Sequence, residues 1–122
     1  MKYSALLSLA LMALGTPALS AGYECEMIRQ CPTGEVCVAS VLEANLVYDA
    51  DQWVLHTPVE DIPMVPLFED GPGQFALLSD LVADSAYFLS IFENGQAFLT
   101  LHGWGDGAFA VVHEGICEEF GG

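Results

Sequence analysis

Residues 86–102 read AYFLSIFENGQAFLTLH, and this stretch decides the fold class. Two apolar runs flank Asn94-Gly95, a residue pair that favours the two-residue turn of a β-hairpin. We therefore predict an antiparallel hairpin with a type I′ turn, in which Tyr87 faces His102. A hairpin of this kind is the nucleus of a sheet built from neighbouring strands.

Side chains alternate between the two faces of this predicted hairpin, because a strand has a period of two residues. The face expected to enter the core carries Phe88, Ser90, Phe92, Ala97, Leu99 and Leu101. The second face carries Tyr87, Leu89, Ile91, Glu93, Gln96, Phe98, Thr100 and His102. A third strand follows the glycine-rich loop 103–107, and pairing of His102 with Ala108 would add Phe109, Val111 and His113 to the core face.

The rest of the chain shows frequent turn signals between short runs of Val, Leu, Phe and Tyr, which is typical of an all-β domain. Further strands are predicted near Tyr23–Gln30, Glu35–Glu43, Gln52–Thr57 and Gln74–Leu78, with a turn at Asp49-Ala50-Asp51. The segment Pro58–Gly73 holds four prolines, so we expect an irregular or edge segment that packs down on the core. Leu77, Leu78, Leu81 and Val82 also fit one or two helical turns, which is the less favoured alternative. We expect an antiparallel meander that closes into a small β-barrel or sandwich.

The first twenty residues predict a secretory signal peptide. Lys2 supplies the positive start, Ala5–Leu14 is an apolar run, and Ala18-Leu19-Ser20 offers small residues for cleavage. We therefore expect one mature domain over residues 21–122, located in a periplasm or outside the cell, with no membrane insertion.

The four cysteines are Cys25, Cys31, Cys37 and Cys117, an even number that implies disulfides in an exported chain. Three connectivities are possible. We favour Cys31 with Cys37, because Pro32 and Gly34 suit a reversing turn between them, and Cys25 with Cys117. Zinc binding by these thiols is disfavoured, because the spacing contains no CxxC.

Charge excludes whole classes of partner. The chain holds seventeen Asp and Glu against two Lys and Arg, a formal net charge of −15. Nucleic acid is excluded, because binding a polyphosphate requires basic residues, and anionic membrane surfaces are disfavoured for the same reason. The expected partner is a cationic protein or peptide; the alternative is that the acidity is an adaptation to salty surroundings.

Residues for chemistry are few, so we expect neither an enzyme nor a cofactor or metal centre. No hydrolase, metalloprotease or nucleotide-binding motif is present. Loose calcium binding at the Asp49-Ala50-Asp51 turn or at Asp106 competes with the simpler interpretation of solvated turns. We interpret Trp104, between two glycines, as an exposed binding anchor or a cap folded over the barrel end. The binding candidates are Trp104, Tyr87, Ser85, His102 and Phe98.

The cysteine pattern carries two resemblances. Cys25-Glu26-Met27 with Cys31 and Cys37, and the closing Gly115-Ile116-Cys117, resemble small exported disulfide-bridged β-proteins of Gram-negative bacteria. That resemblance implies a periplasmic β-domain and no activity. Tyr23-Glu24-Cys25, Ser85-Ala86-Tyr87 and Cys117 are similar to periplasmic inhibitors of C-type lysozyme, which offer a Ser and a Lys to the lysozyme cleft. The predicted mature chain has no lysine, so this resemblance contributes only Ser85 and Tyr87 as candidates.

Three function hypotheses follow. The first is a binding module for a cationic protein or peptide, anchored by Trp104 and the second hairpin face. The alternatives are a carrier of a small apolar ligand inside the barrel, and a protein similar to the lysozyme inhibitors.

Overall fold

A computed structural model describes residues 21–67, 73–80 and 84–121; the predicted leader lies outside them. Eight antiparallel strands follow one another as a meander and close into a barrel, with β1 hydrogen-bonded to both β2 and β8. The all-β meander is confirmed, in its barrel form. The strands are β1 (Ala21–Pro32), β2 (Val38–Asp49), β3 (Gln52–His56), β4 (Asp61–Pro66), β5 (Gln74–Ser79), β6 (Ser85–Phe92), β7 (Gln96–Trp104) and β8 (Ala108–Phe120).

The β6–β7 hairpin has a different register from the predicted one. Ile91 faces Ala97, β6 ends at Phe92 and β7 begins at Gln96, so residues 93–95 form a three-residue loop. Gly95 has a φ of 92°, and its N–H donates to the carbonyl of Phe92 at 2.8 Å. Three-residue loops place a glycine at this left-handed position, and the predicted type I′ turn was therefore wrong.

This one-residue slip exchanges the two faces of β6. Leu89 and Ile91 are buried inside the barrel, opposite Leu99 and Ala97. The residues of β6 that were predicted to enter the core lie on the outer face: Phe88, Ser90 and Phe92. The assignment for β7 was correct, because Ala97 and Leu99 are fully buried.

The β7–β8 register also differs, but without exchanging faces. His102 faces Ala110 and not Ala108, a shift of two residues. A shift of two preserves the alternation, so Val111 and His113 lie on the same face as Leu101 and Leu99, as predicted.

The proline-rich segment contains a strand, which corrects the prediction of an irregular or edge segment. β4 pairs with β3 through Pro63 opposite Val54, and with β5 through Pro66 opposite Leu77. Ile62 is buried, so the segment packs down as expected. The helical alternative is wrong for residues 74–79, which form strand β5. Leu77 is buried there and its neighbour Leu78 is exposed. Residues 68–72 and 81–83 lie outside the described part of the chain.

Large apolar side chains fill the barrel. An eight-stranded barrel has an interior just wide enough for its own side chains. The largest fully buried ones among the described residues are Met27, Leu46, Leu55, Ile62, Met64, Leu77, Leu89 and Leu99.

Both predicted disulfides are present. Cys25 and Cys117 are register partners on β1 and β8, so this bridge crosses the seam where the first strand meets the last. Cys31–Cys37 closes the loop between β1 and β2. Paired cysteines of this kind indicate an oxidising compartment outside the cytoplasm. In the described ranges no helix is long and apolar enough to cross a membrane.

The predicted turn at residues 49–51 is confirmed, with a specific geometry. Asp49 faces Gln52, so the loop has two residues, Ala50 and Asp51. Their φ angles are 52° and 65°. Positive φ at both central residues is the signature of a type I′ turn.

Meander topology places alternate connections at opposite ends of the barrel. We call the end that holds the start of β1, the end of β8 and the β2–β3 and β6–β7 turns the terminal mouth. The other end holds the β1–β2, β3–β4, β5–β6 and β7–β8 connections, and we call it the far end.

Candidate aromatic and acidic binding site

Four aromatic rings form a row at the terminal mouth. The ring centroids of Tyr48 and Trp53 are 5.0 Å apart, those of Trp53 and Phe75 5.2 Å, and those of Phe75 and Tyr23 6.0 Å. Tyr23, Trp53 and Phe75 are half-buried and pack against the core. Each lies two residues before a buried inward-facing residue (Cys25, Leu55 and Leu77, respectively), so strand alternation turns all three inward.

Three of these rings, those of Tyr23, Trp53 and Phe75, line a cavity of about 560 Å³. Glu93 of the β6–β7 turn and Glu119 of β8 also line it, and both are exposed. The volume is within the range of small-ligand pockets, roughly 300–1,000 Å³. The mouth is therefore an aromatic cup with carboxylates on its wall.

Both tyrosines of the aromatic row have a raised pKa. Burial raises the pKa of Tyr23, and the negative charge of Glu119, its register partner, raises it further. The Tyr48 hydroxyl donates to Asp51 Oδ1 at 3.2 Å; this hydrogen bond and the charge of Asp51 raise the pKa of Tyr48.

The carboxylates of the cup have no cationic partner within the described ranges. The ion pairs found there are Arg29–Glu114, at 3.6 Å, and His56–Asp61, at 2.8 Å. Neither pair includes Glu93 or Glu119. Arg29 is also the single Lys or Arg of residues 21–122, and it is paired with Glu114 and not with a carboxylate of the cup.

A patch of like charges lies on the outer face beside the mouth. Glu24 faces Glu118 across β1 and β8, and Glu26 faces Glu43 across β1 and β2. Together with Asn45 they line a shallow depression. The four carboxylates together give this side of the molecule a negative potential. Because like charges lie directly opposite one another, the arrangement also costs sheet stability.

Four of the sequence-predicted site residues lie at the far end: Ser85, Tyr87, His102 and Trp104. Trp104 is 67% exposed at the β7–β8 connection, which argues against the interpretation as a cap folded over the barrel end. Its role as a binding anchor stays a prediction. Ser85 faces Gly103 on the neighbouring strand. The structure therefore gathers these residues at one end, whereas the cavity lined by Tyr23, Trp53 and Phe75 lies at the other.

Tyr87 and His102 do not share a face, which corrects the predicted pair. Tyr87 faces Leu101, and His102 faces Ala86 on the outer surface. The Tyr87 hydroxyl donates to Glu60 Oε2 at 2.8 Å. Burial, this hydrogen bond and the charge of Glu60 raise the pKa of Tyr87 to about 12.

Phe98 lies on the outer face of β7, outside both ends. It faces Ser90 across the hairpin, and its ring meets the edge of Phe92 at a centroid distance of 6.1 Å. Its predicted neighbours on the second face, Leu89 and Ile91, are inside the barrel. Phe98 is therefore separated from the other predicted site residues.

His113 lies inside the barrel opposite Leu99, on the face predicted for it. Its Nδ1 is buried without a hydrogen-bond partner in the described structure. Burial lowers the pKa of His113. Within the same ranges, no group of three or more His, Cys, Asp or Glu side chains is arranged to hold a metal ion.

The residues of the cup were not predicted from the sequence. One signal for them was present, however. If Cys25 and Cys117 are cross-strand partners, the residues two positions outward, Tyr23 and Glu119, must also face each other. The contributions of Trp53, Phe75 and Glu93 depend on barrel closure and had no comparable local signal.

No protein-family model, curated protein or solved structure matches this chain. The resemblances described above therefore rest on the pattern of residues alone, and a function must be argued from the geometry.

Proposed function

We propose that this protein is a binding module for a cationic protein or peptide, which it engages through the terminal mouth. The observation that carries the proposal is the cup itself. Aromatic rings attract cations through their negative faces, and Glu93 and Glu119 add formal charge at the same cavity.

The charge of the whole chain supports the same partner class. A formal net charge of −15 extends an attractive potential to a basic partner well beyond contact. The outer patch of Glu24, Glu26, Glu43 and Glu118 adjoins the mouth on β1 and β8, so an incoming cation is steered toward that side. Steering of this kind raises the association rate and is screened by salt.

The alternatives rank lower for structural reasons. A carrier of a small apolar ligand inside the barrel would need interior space, whereas side chains such as Leu46 and Leu89 fill the described interior. The cavity at the mouth has the volume for a small ligand, but the carboxylates on its wall favour a cationic one. A function similar to lysozyme inhibition would use Ser85 and Tyr87 at the far end, where the Tyr87 hydroxyl already bonds Glu60.

The two tryptophans allow a direct test, because they lie at opposite ends of the barrel. A Trp104→Phe variant leaves Trp53 as the only tryptophan, and a Trp53→Phe variant leaves Trp104. Each is titrated with a Lys- and Arg-rich peptide and with the same peptide carrying Gln at every basic position. Binding at the mouth changes the fluorescence of Trp53 in the Trp104→Phe protein. A change of Trp104 fluorescence in the Trp53→Phe protein would instead place the contact at the far end.

Two further measurements complete the test: the affinity as a function of ionic strength, and the affinity of variants that each lack one carboxylate. Affinity should fall between about 0.01 M and about 0.15 M ionic strength, where the Debye length shortens from about 30 Å to about 8 Å. Glu119→Gln should weaken binding more than Glu35→Gln, which removes the same charge from an exposed residue at the far end. No binding at low salt, or a response confined to Trp104, would refute the proposal; the first result would favour acidity as an adaptation to salt.

A further inference from the structure

We infer that the cup at the terminal mouth selects arginine over lysine in its partner. The inference rests on the proposed function and adds the chemical identity of the group that enters the cavity. It follows from the shape of the aromatic wall and from the position of the two carboxylates.

The aromatic wall presents ring faces in several orientations. Trp53 is tilted by 63° to Phe75, its neighbour in the cavity lining, and by 50° to Tyr48, so these rings do not stack face to face. Phe75 and Tyr23 continue the wall at an angle of 35°. A planar guanidinium can lie against such a face, and tryptophan is the aromatic residue that attracts cations most strongly.

The carboxylates approach the same cavity from different elements. Glu93 comes from the β6–β7 turn, and Glu119 comes from β8, opposite Tyr23. A guanidinium can donate two parallel hydrogen bonds to one carboxylate in its plane while its face contacts a ring. The cup therefore provides both kinds of contact that arginine uses together.

Lysine gains less from this arrangement. Its ammonium is a compact and strongly hydrated point charge, so it loses water on entering an aromatic cavity and cannot form the planar paired contact. Long-range attraction to the acidic surface is the same for both residues, because their charges are equal. The acidic surface therefore attracts lysine and arginine equally, and only arginine gains the planar paired contacts inside the cup.

The experiment compares two peptides of equal length and charge, one with a single Arg and one with Lys at that position, in an otherwise neutral sequence. Trp104→Phe protein is titrated with each, and the ratio of the two dissociation constants is measured. We expect the Arg peptide to bind about tenfold more tightly. In Phe75→Leu protein, also carrying Trp104→Phe, that ratio should fall toward one. Tyr23→Leu, in the same background, is the second variant if Phe75→Leu does not fold.

Each outcome has a distinct meaning. Equal affinities that both weaken with salt and with Glu119→Gln would overturn the arginine preference and leave the proposed function standing. A tenfold preference that persists in the folded ring variants would also overturn it, because the rings would not be its cause. Absence of binding by either peptide at low salt would remove the proposed function and the inference together.

Discussion

Removing the seam disulfide should cost more stability than removing the loop disulfide. The sequence separation is 92 for Cys25–Cys117 and 6 for Cys31–Cys37. A crosslink restricts the unfolded chain more when it closes a longer loop. The chain-entropy relation gives about 4.6 kcal/mol for the seam bridge and about 2.2 kcal/mol for the loop bridge.

The assay is equilibrium unfolding in urea of two double variants, Cys25→Ala/Cys117→Ala and Cys31→Ala/Cys37→Ala, each with its remaining bridge oxidised. Both should still close the barrel, because β1 and β8 are also joined by a backbone ladder from Gly22 to Pro32. The free energy of unfolding should fall by roughly twice as much in the seam variant. An equal or larger loss in the loop variant would refute the entropic reasoning, since both bridges would then act through local contacts.

Two further predictions concern single residues. Ala50→Gly should raise the free energy of unfolding by about 0.5–1 kcal/mol, because Ala50 has a φ of 52° that glycine adopts without strain. Ala108→Gly, at an exposed strand position, is the matched control and should lower stability; stabilisation by both variants would contradict the reasoning. In an alkaline absorbance titration, one tyrosine should ionise near pH 12, and Tyr87→Phe should abolish that step. Because the folded pKa lies above the unfolded value, the stability from this group is complete below about pH 10 and is lost as the pH rises toward 12. If Tyr87→Phe instead removes amplitude from the step near pH 10, Tyr87 ionises as an ordinary tyrosine, and burial and the Glu60 contact do not raise its pKa.

Alternation of apolar residues predicted most of the strands but not their exact pairing. The residues Asn94-Gly95 fit both a two-residue type I′ turn and a three-residue loop. Because the structure has the three-residue loop, Phe88 and Phe92 lie half-buried on the outer face and not in the predicted core. Both faces of β6 are apolar, so composition could not decide between the registers. Burial of Leu89 and Ile91 decides it, and this burial depends on strands from across the barrel.

Prolines gave the most misleading signal. Pro63 and Pro66 lack the N–H that a central strand normally uses, yet β4 pairs on both sides. The inward alternation of Ile62 and Met64 outweighs the missing donors, because it buries two large side chains in the interior. Local propensity was overridden by packing.

The sequence by itself determined the chemistry of the chain: its acidity, its paired cysteines and the meander of short strands. These follow from composition, even cysteine count and a period of two, which are local properties. Only the tertiary structure decided where the aromatic cup lies. Trp53, Phe75, Glu93 and Glu119 come from four separate elements, and only closure of the barrel brings them to one cavity. Closure depends on the sum of many non-local contacts, and no single segment of the sequence contains that information.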